Sequence, residues 1–267
     1  MDDSIPNMIE HIRVLAKYRE LLWVWVLRGI KVRYKQSLLG GAWAVLQPLL
    51  LTVIFSIVFT YLVRVSTDGI PYPIFSYSGL LLWTFFATSI NLAASSLVQN
   101  MNLVTKIYFP REIIPIAVVA GSFFDLLVAS AVFIGMMVFY KVPLTLTILI
   151  LPVIIAPMML LTMGIAMITA SVNVFYRDVR FVVPLMLQVW MYATPIIYPI
   201  SVVPDSFQKY YIVNPIAGLI DSFRAITIRG QWPNWTFLLV AVVMSIVIFG
   251  IGYMYIKRVE WQFADLI

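Results

Sequence analysis

The side chains of this sequence that could take part in chemistry are few and mostly basic. The sequence has 18 Lys and Arg residues, 12 Asp and Glu residues, one His and no Cys. The basic residues Arg28, Lys31, Arg33 and Lys35 fall within about two turns of a helix. Such a group attracts the headgroup of an anionic lipid. The segment is therefore predicted to lie at a membrane surface.

Sequence motifs of known enzymes are missing. No Gly-Lys pair occurs, so there is no phosphate-binding loop of the kind that hydrolyses ATP. The single His, His11, follows Glu10 without the second His of a zinc protease motif. The absence of Cys removes disulfides and thiolate metal ligands, and the acidic residues are scattered along the chain. We therefore expect neither covalent catalysis nor a cofactor or metal bound by this chain.

The apolar majority of the chain must position these side chains. Hydrophobic residues make up 62% of the sequence and charged residues 11%, with a mean hydropathy of +0.97. Soluble domains are about 45–50% apolar and about 25% charged. A water-soluble core of this length would not cover so much apolar surface. The composition therefore predicts an all-α integral membrane protein.

Uncharged runs predict six membrane spans, because a bilayer core of ~30 Å needs about 20 apolar helical residues. The spans are predicted within residues 36–63, 75–98, 113–140, 142–176, 181–204 and 230–256. The third span contains Asp125, for which we favour hydrogen bonds to neighbours such as Ser122 or Ser130 over a proton relay. Small residues in the fourth span, such as Gly164, favour close helix packing.

Six spans place both termini on one side of the membrane. Most of the Lys and Arg residues fall on that side, so the positive-inside rule predicts cytoplasmic termini. Residues 1–35 are predicted to form an amphipathic helix along the cytoplasmic interface. Residues 36–267 are predicted to form the six-span part of a single domain. Residues 205–235 are predicted to form re-entrant or interfacial helices on the outer face, with an ordinary amphipathic loop as the alternative.

Motifs along the chain carry a resemblance to a known family. They are RYKQSLLG at 33–40, WAVLQP at 43–48, GLLLWTFF at 79–86, KIYFPRE at 106–112, NVFYRD at 173–178, YATPIIY at 192–198 and YIVNP at 211–215. In this order they resemble the membrane-spanning permease subunit of an ABC exporter of the type 2 superfamily. The similarity is to the branch that exports polysaccharides and polyol phosphates, which includes O-antigen of lipopolysaccharide, capsule and teichoic acid. It covers nearly the whole chain.

The resemblance implies a homodimer that binds two copies of a separate ATPase subunit. That partner would bind ATP and Mg²⁺, and this chain would not be an enzyme. The implied substrate is a polysaccharide carried on undecaprenyl diphosphate, moved across the inner, cytoplasmic membrane of a bacterium. Two alternatives stay open: a multidrug-type ABC permease of the same superfamily, and a membrane enzyme of lipid-linked sugar assembly.

The resemblance also suggests roles for three groups of residues. ATPase coupling through short cytoplasmic helices is expected at Lys106, Tyr108, Phe109, Pro110, Arg111, Glu112, Phe175, Tyr176, Arg177 and Asp178. A channel lined by aromatic rings is expected at Trp83, Phe85, Phe86, Trp190, Tyr192 and Tyr198. Contact with the lipid diphosphate is expected at Arg28, Lys31, Arg33 and Lys35. Positive-inside flanks, interfacial aromatic belts and ordinary lipid attraction are the alternative explanations of the same residues.

Overall fold

The computed structural model describes residues 17–35, 40–63, 67, 69–106, 109–204, 206 and 211–264. The regular secondary structure of these ranges is helical, which confirms the predicted class. The α-helices are α1 (Arg19–Tyr34), α2 (Ala42–Ile57), α3 (Tyr72–Gln99), α4 (Met101–Lys106), α5 (Ile113–Phe139), α6 (Leu151–Phe175), α7 (Val179–Ala193), α8 (Pro215–Arg224) and α9 (Trp235–Val259). Short 3₁₀ or π segments adjoin α2, α6, α8 and α9 and lie between α7 and α8; these are Val58–Leu62, Leu146–Ile150, Ala225–Arg229, Glu260–Ala264 and Ile200–Val202.

Five helical segments of the described chain are long and apolar enough to cross a membrane. They are Ala42–Leu62, Tyr72–Gln99, Ile113–Phe139, Leu146–Phe175 and Trp235–Phe263. The predicted span at 181–204 is not confirmed at full length. Helix α7 has 15 residues, which reach only about 22 Å. It ends at Thr194, whose backbone is extended (ψ 141°), because the residue before a proline is disfavoured in helical conformation.

The last predicted span, 230–256, overlaps α9, and the helical segment continues past Lys257 to Phe263. The ammonium of Lys257 lies 2.8 Å from Oε2 of Glu112 and 3.4 Å from Oε1 of Glu260. Because its charge is paired within the protein, Lys257 does not have to leave the helix bundle for water.

Helix α1 packs lengthwise against the first half of α5. Trp25 and Ile114 line one cavity between the two helices. Further along both helices, a Cβ atom at Gly121 would lie 3.8 Å from Cγ1 of Ile30. The predicted position of this helix in the plane of the membrane surface is therefore not confirmed. The earlier part of the predicted amphipathic segment, residues 1–16, lies outside the described residues.

A short buried helix occupies the region that the sequence assigned to outer interfacial helices. All residues of α8 except Asp221 are buried, and α8 packs against α3, α6 and α9. The amphipathic-loop alternative is wrong for this stretch, because the apolar side chains of α8 are covered by protein on every side.

Helices α6 and α9 approach each other closely at Gly164. A Cβ atom at Gly164 would lie 2.6 Å from the carbonyl oxygen of Ile248, so only glycine allows this approach. Helices α3 and α6 form the centre of the bundle, where Phe86, Met158 and Leu161 are fully buried, whereas only five residues of α9 are buried. The expectation of close packing at Gly164 is confirmed.

Candidate functional site

One end of the helix bundle contains the predicted coupling loop. A buried cluster at this end, called the Phe109 end below, includes Leu97, Phe109, Val174 and Phe263. Phe109, Pro110 and Glu112 are buried in it, and the Glu112 carboxylate pairs with Lys257 of α9. These three predicted coupling residues therefore fix the loop to the bundle. Tyr108 lies outside the described residues.

Other predicted coupling residues at the Phe109 end face outward. Lys106, at the end of α4, is exposed, and Arg111 is half-buried. Tyr176, with 70% of its surface exposed, leads into the exposed residues Arg177 and Asp178.

The second predicted coupling helix is a turn. Tyr176 has an extended backbone (ψ 96°) at the end of α6. The Asp178 carbonyl then accepts hydrogen bonds from the N–H groups of Phe181 and Val182, which begins α7. Phe175, by contrast, is half-buried and packs its ring against Phe263, with centroids 5.8 Å apart. The 176–178 turn thus presents an aromatic ring and two charges at the Phe109 end.

The predicted channel aromatics separate into buried and accessible rings. Trp83 and Phe85 are 4% exposed and Phe86 is fully buried. Trp190 packs edge-on against Phe86, with centroids 5.4 Å apart. Tyr192 is 52% exposed. Within one subunit, Trp83, Phe85 and Phe86 serve as core packing rather than as an open wall.

The 192–198 and 211–215 motifs meet in one hydrogen-bonded cluster at the other end of the bundle. Nδ2 of Asn214 donates to Oγ1 of Thr194 at 2.9 Å. Oδ1 of Asn214 accepts from Nε1 of Trp190 at 3.3 Å. The hydroxyl of Tyr198 contacts that of Tyr211 at 3.1 Å. The motifs therefore hold the end of α7 against the start of α8.

Arg224 is the residue of this cluster that sequence reasoning missed. It is 4% exposed and has no acidic ion-pair partner among the described residues. Its guanidinium donates to the carbonyls of Pro195 (2.8 Å) and Ile196, and its Nε donates to Oγ of Ser78 at 3.2 Å. It also lies 3.8 Å from the centroid of the Phe75 ring. The sequence feature that could have identified Arg224 is its position as a cation between the apolar stretches 215–220 and 225–228.

The role of Asp125 differs from the sequence prediction. Asp125 accepts hydrogen bonds from Arg33 and from the hydroxyl of Tyr34, both on α1. Burial, and then this hydrogen bond, raises the pKa of Tyr34 to about 12, so the phenol stays protonated as a donor. Ser130 instead donates to the carbonyl of Leu126, and Ser122 meets Arg33 at 3.5 Å. The predicted neighbour bonds were wrong because the partners come from a different helix.

The predicted lipid-diphosphate residues are therefore not equivalent. Arg33 is engaged by Asp125, with 25% of its side chain exposed. Arg28, Lys31 and Lys35 are exposed and line one open groove on α1. Their spacing of three and four residues places three cations on one helix face.

Comparison with known proteins identifies the family. The ABC-2 type transporter model matches residues 20–228, which is most of the chain. The chain belongs to the ABC-2 type transporter family. The membership predicted from the motifs is thereby confirmed.

Similar proteins in this family carry export names. The chain is 30% identical over 262 residues to an O-antigen export system permease protein of Myxococcus xanthus, covering 97% of this chain and all of the relative. It is 28% identical over 249 residues to an O-antigen export system permease protein of Klebsiella pneumoniae, covering 93% and 95%. It is 24% identical over 218 residues to a polysialic acid transport protein of Escherichia coli, covering 76% and 80%.

The ABC-2 match includes the anchored loop 109–112, the 176–178 turn and the cluster around Arg224. Helix α9, which supplies Lys257 to the loop, begins at Trp235, beyond the matched residues. A helix outside the matched residues, α9, thus supplies the ion-pair partner of Glu112 within them.

Proposed function

We propose that this ABC-2 type transporter is the membrane-spanning subunit of an ATP-driven exporter of an O-antigen-type polysaccharide. The observation that carries the proposal is the 30% identity to an O-antigen export permease over the full length of that relative. The order of the sequence motifs along the chain favours polysaccharide export over the multidrug-type alternative. Family membership favours a transport subunit over an enzyme of sugar assembly.

The proposed subunit has six spans and works as a homodimer with both termini in the cytoplasm. The short helix α7 serves as the fifth span together with residues 194–199, of which Thr194, Pro195, Ile196 and Ile197 are buried. Non-helical backbone is tolerated at membrane depth where protein covers it. Arg224 supports this arrangement by donating to two carbonyls of the segment.

Two copies of a separate ATPase subunit are proposed to bind at the Phe109 end. The exposed residues Lys106, Tyr176, Arg177 and Asp178 supply a contact surface rich in charge and aromatic area. Aromatic and Arg side chains are enriched at protein interfaces. The buried residues Phe109, Pro110 and Glu112 are proposed to transmit movement from that surface to α5 and α9.

The glycan is proposed to move along the exposed face of α7. Phe181, Leu185, Val189 and Tyr192 are exposed at spacings of three or four residues, so they share one face. Weak contacts repeated along such a face permit movement of a long polymer, as in multi-site conduction. The undecaprenyl-diphosphate end is proposed to contact Arg28, Lys31 and Lys35, which are exposed on one side of α1.

Affinity purification from native bacterial membranes in mild detergent tests this proposal. We expect an ATPase with a phosphate-binding loop to co-purify at one-to-one stoichiometry, and the complex to hydrolyse ATP faster when lipid-linked glycan is added. A chain that purifies without an ATPase, and that modifies lipid-linked sugar by itself, would support the enzyme alternative instead.

A further inference from the structure

A polar-lined cavity of about 230 Å³ lies between four helices. Helix α1 contributes Arg33 and Tyr34, and α5 contributes Ser122 and Asp125. The remaining polar side chains are Gln47 of α2 and Thr84 and Thr88 of α3. An ionisable side chain on a membrane-crossing helix, here Asp125 of α5, is costly, so its presence points to a functional site.

The two threonines of α3 that line the cavity differ from threonines whose hydroxyls are bonded within their own helix. Thr162, Thr169 and Thr227 each donate to the carbonyl four residues earlier, which satisfies their hydroxyls. Thr84 and Thr88, one helical turn apart, have no hydrogen-bond partner among the described residues, although both line the cavity. Both residues are half-buried, so their hydroxyls are accessible to water or to a ligand that enters the cavity.

Gln47, which is exposed, lines the same cavity from α2. Its side-chain amide has no partner within the described part of the chain, and it lies about one helical turn from Trp43. The Trp43 ring lines the same cavity and is 52% exposed, which places an accessible aromatic surface at its edge. The cavity therefore combines an apolar ring with an amide and two hydroxyls.

The charged side chains that line the cavity indicate which class of ligand can bind there. Arg33 and Asp125 pair with each other, so their charges cancel. An entering phosphate would meet the carboxylate of Asp125 and is disfavoured by like-charge repulsion. A neutral group with many hydroxyls can exchange hydrogen bonds with Gln47, Thr84 and Thr88 while an apolar face meets Trp43.

We propose that this cavity is a binding site for one uncharged sugar residue of the exported glycan. The inference rests on the proposed function, because it assigns a position within one subunit to part of that substrate. The diphosphate of the same lipid would be held elsewhere, at the exposed cations of α1.

Two matched probes test the proposal on the purified full-length protein. One is a synthetic lipid diphosphate that carries a single N-acetylhexosamine, and the other is the same lipid diphosphate without sugar. We expect the wild-type protein to bind the sugar-bearing probe about tenfold more tightly, as two or three neutral hydrogen bonds would give. The double variant Thr84→Val with Thr88→Val keeps side-chain shape and is expected to lose this preference while binding the bare probe unchanged.

Thr162→Val is the matched control, because Thr162 is buried in α6 and does not line the cavity. It should keep the tenfold preference. A double variant that retains the preference, or that loses affinity for the bare probe, would overturn the proposal. If the wild-type protein binds only the bare probe, the assignment of a sugar to this cavity is wrong, and the proposed function is not affected. If it binds neither probe, both this assignment and the lipid-linked substrate of the proposed function are wrong.

An introduced thiol gives a second measurement that does not depend on the threonine variants. The sequence has no Cys, so Gln47→Cys creates a single site for a water-soluble maleimide. We expect the sugar-bearing probe to slow its modification about fivefold and the bare probe to leave it unchanged. Asn102→Cys, on an exposed position of α4, should react at the same rate with either probe. Equal rates at Gln47→Cys with both probes would contradict the proposal.

Discussion

Arg224 connects three parts of the chain through one side chain. Its guanidinium joins α8 to the 194–197 segment and to Ser78 of α3. Gly79 leaves the space that the guanidinium and the Ile196 carbonyl occupy. The end of α7, with Trp190 and Tyr192, depends on this contact for its position.

Replacing Arg224 with Met should therefore destabilise the protein. The carbonyls of Pro195 and Ile196 would lose buried donors, at a cost of about 1–3 kcal/mol each. We expect a lower midpoint of thermal unfolding in detergent and reduced glycan export. Arg224→Lys keeps the charge but not the planar set of donors. Its midpoint of thermal unfolding should lie between those of the wild-type protein and the Met variant. An unchanged midpoint for the Met variant would show that these contacts do not support the segment.

Single residues were also where sequence reasoning failed most clearly. Asp125 was assigned partners on its own helix, whereas Arg33 and Tyr34 come from about 90 positions away. Hydrophobic patterns define helices but do not say which helices touch. Arg224 was not singled out as a site residue for the same reason.

At the scale of helices, the close α6–α9 contact depends on Gly164. We expect Gly164→Leu to separate the two helices, because even a Cβ atom would lie 2.6 Å from the Ile248 carbonyl. The expected result is loss of folded protein, measured as the monodisperse fraction in gel filtration. Gly250→Leu is the control, since a Cβ atom on this α9 glycine meets nothing within 4 Å. Equal losses for both variants would mean that helix propensity, rather than this contact, sets the yield.

A second element-scale prediction concerns the ion pair between the 109–112 loop and α9. Glu112 is 1% exposed, so Glu112→Lys alone leaves two cations together and should strongly lower stability and export. The double variant Glu112→Lys with Lys257→Glu restores an opposite pair. We expect it to recover part of the midpoint of thermal unfolding and of the export rate. Absence of recovery in both measurements would argue against a direct coupling of these two side chains.

The long helices were predictable and their ends were not. The predicted spans at 75–98 and 113–140 differ by a few residues from Tyr72–Gln99 and Ile113–Phe139. Length and apolar composition define such helices directly. The end of α7 at Thr194 and the continuation of α9 past Lys257 depend on local proline geometry and on a distant ion pair, which composition does not reveal.

At the scale of the whole molecule, the exposed 176–178 turn should control coupling to the ATPase. Arg177→Glu reverses a charge without a described partner and should leave insertion and folding intact. We expect glycan export per ATP hydrolysed to fall at least about tenfold in proteoliposomes. Lys141→Glu, an equal charge reversal at an exposed turn at the other end of α5, should leave this ratio unchanged. Normal export by the Arg177 variant with normal ATPase binding would refute the role of the turn.

Family membership was predictable from the ordered motifs, and the structure explains why they occur together. The 192–198 and 211–215 motifs meet through Thr194 and Asn214, and Gly79 of the 79–86 motif accommodates Arg224. The role of the channel aromatics stays a prediction. Trp83, Phe85 and Phe86 are buried within one subunit, and motif order does not say whether a residue packs in the core or faces a substrate.

The most direct test of the central claim is ATP-driven translocation in a reconstituted system. The purified protein and its co-purified ATPase would be placed in liposomes that contain lipid-linked O-antigen-type glycan. A membrane-impermeant glycosidase would then measure how much glycan becomes protected inside the vesicles when ATP is added outside. We predict ATP-dependent protection that requires this chain and stops when the ATPase is inactive. Glycan that stays fully accessible despite active ATP hydrolysis would contradict polysaccharide export by this transporter.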